Sequence, residues 1–203
     1  MLKIALILFL GHNVASLEPD LAEQPLGLTT IVNDKQLGFI QEWGPDFSVK
    51  FDIKVTDFDN GGLGHPYSDV LHFTATDKTC CGEGDRLPGV FLHRDNRFII
   101  AMWGSFDGRS GNIYYTSGKR EENRWYSVEI KQQQVKMFYR KNLILDRFDN
   151  VFQGVFTITV DGNPEFRSVN AKPEMFNNVR VFAVFQNSVP ANAVLRNLKY
   201  SNL

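Results

Sequence analysis

Two adjacent cysteines, Cys80 and Cys81, are the only cysteines of the chain, and glycines follow them closely. Their Cα atoms are about 3.8 Å apart across a trans peptide, below the span of about 4.4–6.8 Å usual for disulfides. The pair can form a strained vicinal ring, remain as two free thiols, or bond to another molecule. Free paired thiols do not last in an oxidising compartment, so we expect the vicinal disulfide, with an interchain bond as the alternative. Such a ring would either only shape its loop or offer a flat apolar surface to a ligand.

Arg86 follows in the same loop, within the segment GDRLPG. Its guanidinium could pair with Asp85 or with a strand carboxylate, or it could present a planar fork of donors to an acidic ligand. Arginines that brace a turn are common in loops, so we expect the structural pairing ahead of ligand recognition. Arg86 is nevertheless the candidate binding residue of this loop.

Several loops carry Asp and Asn residues that could supply the six to eight oxygens of a calcium site. The candidate ligands are Asp57, Asp59 and Asn60, and the segments HRDN and GSFDGRSGN are also eligible. None of these segments has the spacing of an EF-hand, and Asp and Asn are also ordinary turn residues. Calcium is therefore a candidate ligand, and no cofactor is certain.

No arrangement of residues points to catalysis. His65, His72 and His93 have neither the spacing nor a neighbouring acid that suggests a zinc site. The chain has no Gly-x-Ser-x-Gly elbow and no phosphate-cradling loop. We therefore expect a protein that is not an enzyme.

Aromatic residues make up 13% of the chain, including 17 phenylalanines. Most of them must fill a core. Exposed ones could form a sugar-stacking patch or a protein contact, and the candidates are Trp103, Tyr114 and Tyr115.

Strands must position these residues. The segment FSVKFDIKV alternates faultlessly, with Phe47, Val49, Phe51, Ile53 and Val55 on one face and Ser48, Lys50, Asp52 and Lys54 on the other. The same period appears in WYSVEIK and FTITVDG, and further short runs are separated by turns such as DGNP. About a dozen short strands without a long helix predict an all-β fold, a two-sheet antiparallel jelly-roll sandwich.

The N-terminus has the pattern of a secretory signal over residues 1–16, with one lysine, a short apolar run and small closing residues. We expect an extended segment over 17–37, a single domain over 38–203, and a secreted, extracellular protein. No stretch reaches the roughly 20 apolar residues of a membrane span. A net charge of −1 lacks the basic excess that nucleic-acid binding requires.

Three segments resemble a known family: NRWYSVEIKQ, FTITVDGNP and AVLRNLKYSNL. They are similar to the core strands of laminin-G-like domains, within the concanavalin A-like lectin and glucanase superfamily. The segments WGPDFSVKFDIKV and CCGEGDRLPGVFL resemble a little-characterised group of secreted domains in invertebrate animals. The resemblance implies binding of glycans or proteins, often with calcium at the sandwich rim, and in some branches glycosidase activity.

These observations predict a secreted, non-catalytic recognition module that binds a glycan or an extracellular protein through rim loops. A structural component of an extracellular matrix or secretion is the alternative, in which the cysteine pair would cross-link chains and the protein would self-associate. A glycosidase is less favoured because the paired acids of the Glu-x-Asp-x-(x)-Glu pattern are missing from this sequence.

Overall fold

The computed structural model describes the chain from Leu21 to Leu203, except residues 22–26, 33–34, 60–65, 77, 79–81, 104–111, 117, 143–146 and 187. The described residues form twelve β-strands and no helix. The strands make two six-stranded sheets, and every strand pair within them is antiparallel. The predicted two-sheet jelly-roll sandwich is confirmed.

The first sheet contains β1 (Thr29–Thr30), β3 (Phe47–Asp57), β8 (Trp125–Asn142), β9 (Arg147–Val160), β10 (Asn163–Asn170) and β12 (Asn192–Asn202). Its strand order is β1-β12-β3-β8-β9-β10. The strands β8, β9 and β10 follow one another both in the chain and in space. This end of the sheet is therefore a meander.

The second sheet contains β2 (Gln36–Trp43), β4 (Tyr67–Thr74), β5 (Gly89–His93), β6 (Phe98–Trp103), β7 (Asn112–Tyr115) and β11 (Phe176–Phe182). Its strand order is β2-β11-β4-β5-β6-β7. The chain passes between the two sheets several times, so the N-terminal and C-terminal strands contribute to both layers.

The core lies between the two sheets, where the predicted alternation is confirmed. The inward residues of β3 are all at most 1% exposed: Phe47, Val49, Phe51, Ile53 and Val55. Trp43 is fully buried at the end of β2, with its ring centroid 4.6 Å from that of Phe47 and 4.8 Å from that of Tyr200. Burial of these large side chains supplies most of the driving force for folding.

The N-terminal segment joins this core before Gly38. Leu21 is fully buried, its amide donates to the carbonyl of Phe39, and its carbonyl accepts from the amide of Tyr200. The packed part of the chain therefore includes at least one residue of the stretch that the sequence predicts to be extended.

The strand β8 is longer than the sequence predicts, because WYSVEIK and QVKMFYR form one strand in place of two. β3 pairs with β8 only from Trp125 to Gln132, whereas β9 pairs along β8 as far as Asn142. The β8–β9 hairpin therefore extends beyond β3. Just before β3 begins, Asp46 Oδ1 accepts a hydrogen bond of 2.5 Å from the backbone amide of Gln134.

The hairpin between β9 and β10 turns on Asp161 and Gly162, within the segment DGNP where the sequence predicts a turn. Val160 pairs with Asn163, and the two turn residues have φ angles of 51° and 78°. Positive φ at both positions is the backbone of the two-residue turn that matches the twist of a β-hairpin. This turn places β10 beside β9 in register.

Candidate functional site

An open groove of about 300 Å³ lies on the outer face of the first sheet, across β8, β9 and β10. It is lined by Lys131, Gln133, Val135, Val155, Thr157, Pro164 and Arg167. Side chains of a strand alternate between faces, so the inward Ile130, Phe156 and Ile158 fill the core while these residues point outward. β9 contributes Val155 and Thr157 to the middle of the groove, and the other lining residues lie on β8 and β10 at its two sides.

One row of the groove crosses three strands in register. Lys131 pairs with Thr157, and Thr157 pairs with Arg167 on its other side. The Thr157 hydroxyl donates to the carbonyl oxygen of Lys131 at 3.5 Å, the long limit of a hydrogen bond. The side chains of Lys131 and Arg167 therefore flank the Thr157 hydroxyl, which donates only a weak hydrogen bond.

The next row is less polar. Gln133 pairs with Val155, and Val155 pairs with Val169, whose side chain is 42% exposed. The groove thus continues from a cationic row to a row with one amide and an aliphatic floor.

The acids of this sheet face are engaged with cations outside the groove. Glu129 accepts from the Ser48 hydroxyl at 2.8 Å and lies 3.3 Å from Lys50 Nζ, and Asp52 Oδ2 lies 3.0 Å from Arg196 Nε. Among the ion pairs between described residues, none includes Lys131 or Arg167. The groove therefore has a local positive charge although the whole chain is nearly neutral.

A second polar cluster lies on the outer face of the second sheet. An irregularity in β4 between Asp69 and Leu71 sets Asp69 opposite Phe91 and Leu71 opposite Val90. This bulge interrupts the alternation, so Asp69 and His72 share a face while Leu71 points into the core. Asp69 and His72 are 1% and 2% exposed.

Burial controls the charge of this cluster. Burial raises the pKa of Asp69 from 3.8 to about 7. The hydrogen bond from the Phe185 amide and the positive charge of Arg86 lower this pKa, but their effect is smaller than that of burial. Burial, aided by the charge of Arg86, lowers the pKa of His72 from 6.5 to about 4. The cluster is enclosed, and its histidine is neutral near pH 7.

Arg86 belongs to this cluster. Its guanidinium carbon lies 5.1 Å from the ring centroid of Phe91, and the charges of Asp69 and Asp85 act on it. This placement is the bracing arrangement that the sequence favours for Arg86. Its role in ligand binding stays a prediction.

The three aromatic candidates lie on neighbouring strands, Trp103 on β6 and Tyr114 and Tyr115 on β7. Tyr114 is half-buried, with its ring centroid 4.5 Å from that of Phe166 and 5.4 Å from that of Phe156. Its ring thus packs into the sandwich, whereas the sequence predicts an exposed ring; its role in ligand binding stays a prediction. The side chains of Trp103 and Tyr115 lie outside the described part of the structure.

The cysteine pair and the calcium candidates are described only in part. Cys80, Cys81 and Asn60 lie outside the described residues, so the vicinal disulfide stays a prediction.

Among the calcium candidates, Asp57 Oδ1 accepts from the Asp59 amide at 2.8 Å, which closes a turn. Within the described ranges, no group of three or more His, Cys, Asp or Glu side chains could hold a metal ion. Calcium binding through Asp57, Asp59 and Asn60 also stays a prediction.

The residues of the groove are not among the candidates that the sequence predicts. Lys131 and Thr157 lie at outward positions of runs that the sequence identifies as strands, but β10, which carries Arg167, is not recognised. The alternation in EFRSVN is weak because Ser168 takes an inward position and Val169 an outward one. The signal that could have found β10 is the Asp-Gly turn directly after β9, since a two-residue turn requires a strand on each side.

No protein-family model matches the chain, and no characterised protein matches it in sequence. In structure, the chain is similar to a native heptameric SAP-like pentraxin from Limulus polyphemus, with a TM-score of 0.51 and 10% identity over 92% of this chain and 75% of that one. It is also similar to a carbohydrate-binding module from Bacillus subtilis, with a TM-score of 0.45 and 13% identity over 88% and 97% of the two chains. A third similar structure is a galectin from Caenorhabditis elegans, with a TM-score of 0.47 and 9% identity over 87% and 96%.

The likeness to the pentraxin agrees with the fold class, a two-sheet jelly-roll sandwich. In the described ranges, the structure contains no helix with the length and hydropathy of a membrane span.

Proposed function

We propose that this protein is a secreted, non-catalytic recognition module that binds a glycan through the groove on the outer face of the first sheet. The observation that carries the proposal is the composition of the groove, which combines hydroxyl, amide and cationic donors with an aliphatic floor in an open space of about 300 Å³.

A sugar presents hydroxyls at its edge and carbon-bound hydrogens on its ring faces. Gln133 can donate and accept hydrogen bonds, the Thr157 hydroxyl can do both, and Lys131 and Arg167 are donors. Val155 at the base of the groove and Val135 beside it offer aliphatic contact to the ring face. A few placed polar groups beside apolar surface are what small-ligand sites have in common.

The non-catalytic part of the proposal rests on the acids of this face. Retaining and inverting glycosidases both need two carboxyl groups that flank the scissile bond. Here Glu129 is engaged by Lys50 and Ser48, and Asp52 by Arg196 and by the Asn197 amide at 2.8 Å. Neither carboxylate lines the groove.

The secreted location rests on the pattern of residues 1–16. The narrower assignment to the laminin-G-like domains rests on the three segments NRWYSVEIKQ, FTITVDGNP and AVLRNLKYSNL. We include the secreted location and the laminin-G-like assignment in the proposal. The secreted location is tested by expression in a eukaryotic host, where mass spectrometry of the exported protein identifies its N-terminal residue.

Binding to a glycan array tests the proposal. We expect the protein to bind a defined group of glycans, and Thr157→Val to weaken binding because it removes the hydroxyl at nearly constant volume. Thr159→Val is the matched control, since Thr159 lies on the same strand, between Glu129 and Pro164, and its own side chain does not line the groove. A blank array, or equal losses for the two variants, would show that the groove is not a glycan site, and capture of an extracellular protein by the same surface would favour the protein-binding form of the module.

A further inference from the structure

The geometry points to an acidic glycan as the ligand of this groove. We infer that one carboxylate or sulfate of the sugar lies above Thr157, between Lys131 and Arg167, while the ring lies toward Val155 and Gln133. This inference rests on the proposed function and narrows its substrate class.

The register of the strands brings the three donors together. Lys131, Thr157 and Arg167 occupy the same row of β8, β9 and β10, and neighbouring strands are about 4.8 Å apart. The two cations therefore start about 10 Å apart on either side of Thr157, and both side chains are long enough to converge above it. The Thr157 hydroxyl can turn from its 3.5 Å acceptor to donate to the same anion.

The charges of the groove also favour an anion. Two like charges face each other across β9, and the acids Glu129 and Asp52 of the same sheet face are engaged with Lys50 and Arg196. An anion between the cations replaces this repulsion by two charge-assisted contacts. The surface is exposed at Arg167, so the attraction must weaken as salt rises.

The size and chemistry of the groove favour a glycan over other polyanions. A volume of about 300 Å³ lies at the lower end of small-ligand pockets. Nucleic-acid binding requires an excess of basic residues that contact many phosphates. This chain has a net charge of −1 and therefore no such excess. The Gln133 amide and the aliphatic Val155 continue the groove beside the cationic row and suit the hydroxyls and ring face of a sugar.

The experiment measures calorimetric affinities for two matched pairs of probes. The first pair is a hexameric oligogalacturonate and its fully methyl-esterified form, and the second is a heparin hexasaccharide and its desulfated form. We expect at least one acidic probe to bind about tenfold or more tightly than its partner, with the affinity falling at higher salt. The first pair reports on a carboxylate and the second on a sulfate.

Variants locate the effect. Lys131→Gln and Arg167→Gln are each expected to weaken binding of the acidic probe about tenfold, and Lys131→Arg to retain most of it. Lys199→Gln is the charge-matched control, an exposed lysine on β12 of the same sheet, and should leave affinity unchanged. Circular dichroism of each variant verifies the fold.

Two results would overturn the inference. One is equal binding of the acidic and neutral probes, and the other is loss of affinity in Lys199→Gln equal to that in Lys131→Gln. If the glycan array finds only neutral ligands that depend on Thr157, the acidic specificity is wrong and the proposed function stands; if the array is blank, the proposed function itself is wrong.

Discussion

The Nε2 atom of His72 lies 2.8 Å from the backbone carbonyl oxygen of Asp85 and donates a buried hydrogen bond to it. The imidazole also stacks on Phe185, with ring centroids 4.8 Å apart and an angle of 17° between the planes. One side chain of β4 thus holds two loops against the outer face of the second sheet. The neutral state of the histidine suits this enclosed position, since a charged imidazole would have to be desolvated there.

The first prediction concerns the pH dependence of stability. Between about pH 4 and 7, folded Asp69 holds a proton that the unfolded chain has lost, so its contribution to the free energy of unfolding falls as pH rises. Between about pH 4 and 6.5 the unfolded chain binds a proton that folded His72 does not, so the contribution of His72 rises with pH. The two slopes oppose each other.

Single variants should separate these slopes in urea unfolding measured from pH 4 to 6.5. Relative to wild type, Asp69→Asn should become more stable with rising pH and His72→Phe less stable, each by up to about 1.4 kcal/mol per pH unit. The double variant should show little relative slope. Parallel stability curves for all four proteins would contradict the assignment of these pKa values.

The second prediction concerns the carboxylate of Asp85, which fixes the end of the loop after β4. It accepts from the Gly82 amide at 2.6 Å and from the hydroxyl of Thr76. Asp85→Ala should destabilise the protein by about 1–3 kcal/mol because it leaves a loop amide without its acceptor. Glu83→Ala, an exposed acid in the same loop, is the control and should change stability little. Faster hydrogen exchange restricted to residues 82–88 in Asp85→Ala would localise the effect; unchanged stability would refute it.

The third prediction concerns the β9–β10 turn. Gly162 has a φ of +78°, and a Cβ built there meets nothing within 4 Å. Gly162→Ala should therefore destabilise the protein by about 1–2 kcal/mol through backbone strain alone. Gly27→Ala is the matched control, because its Cβ also meets nothing and its φ is not positive. Thermal unfolding compares the two, and equal melting temperatures would contradict the left-handed assignment.

The fourth prediction concerns Cys80 and Cys81. We expect a vicinal disulfide, so alkylation before reduction should label neither cysteine and alkylation after reduction should label both. Replacement of both by serine should change stability by about 1 kcal/mol, since so small a ring constrains the unfolded chain little. Two labelled thiols before reduction, or a dimer on a non-reducing gel, would show another state of the pair.

The fold could be predicted from the sequence because its strongest strands carry an unbroken pattern. The alternation from Phe47 to Val55 defined β3 and its buried face, and the Asp161–Gly162 turn defined the end of β9. β1 and β2 were not recognised as strands. β1 pairs only through Thr29 and Thr30, and in β2 Gly38 interrupts the apolar period.

The sites were harder to predict because each depends on contacts between distant segments. The bulge in β4 moves Asp69 to the face of His72, and no pattern in SDVLHFT marks the extra residue. The groove requires the register of three strands, and Lys131 and Arg167 become neighbours of Thr157 only through that register. Sequence patterns report which face a residue occupies but not which residue lies opposite.

The hydrogen bond between Asp46 and Gln134 has a consequence for the behaviour of the protein at high concentration. Beyond Gln132, β8 extends past Phe47, the first residue of β3. On the edge of β8 that β3 no longer covers, the first backbone donor is the amide of Gln134. Exposed strand edges of this kind recruit strands from other molecules and start aggregation. The carboxylate of Asp46 occupies the Gln134 amide and places a negative charge at the point where an incoming strand would begin to pair. The turn before β3 thus blocks the first position at which another strand could pair with the projecting part of β8.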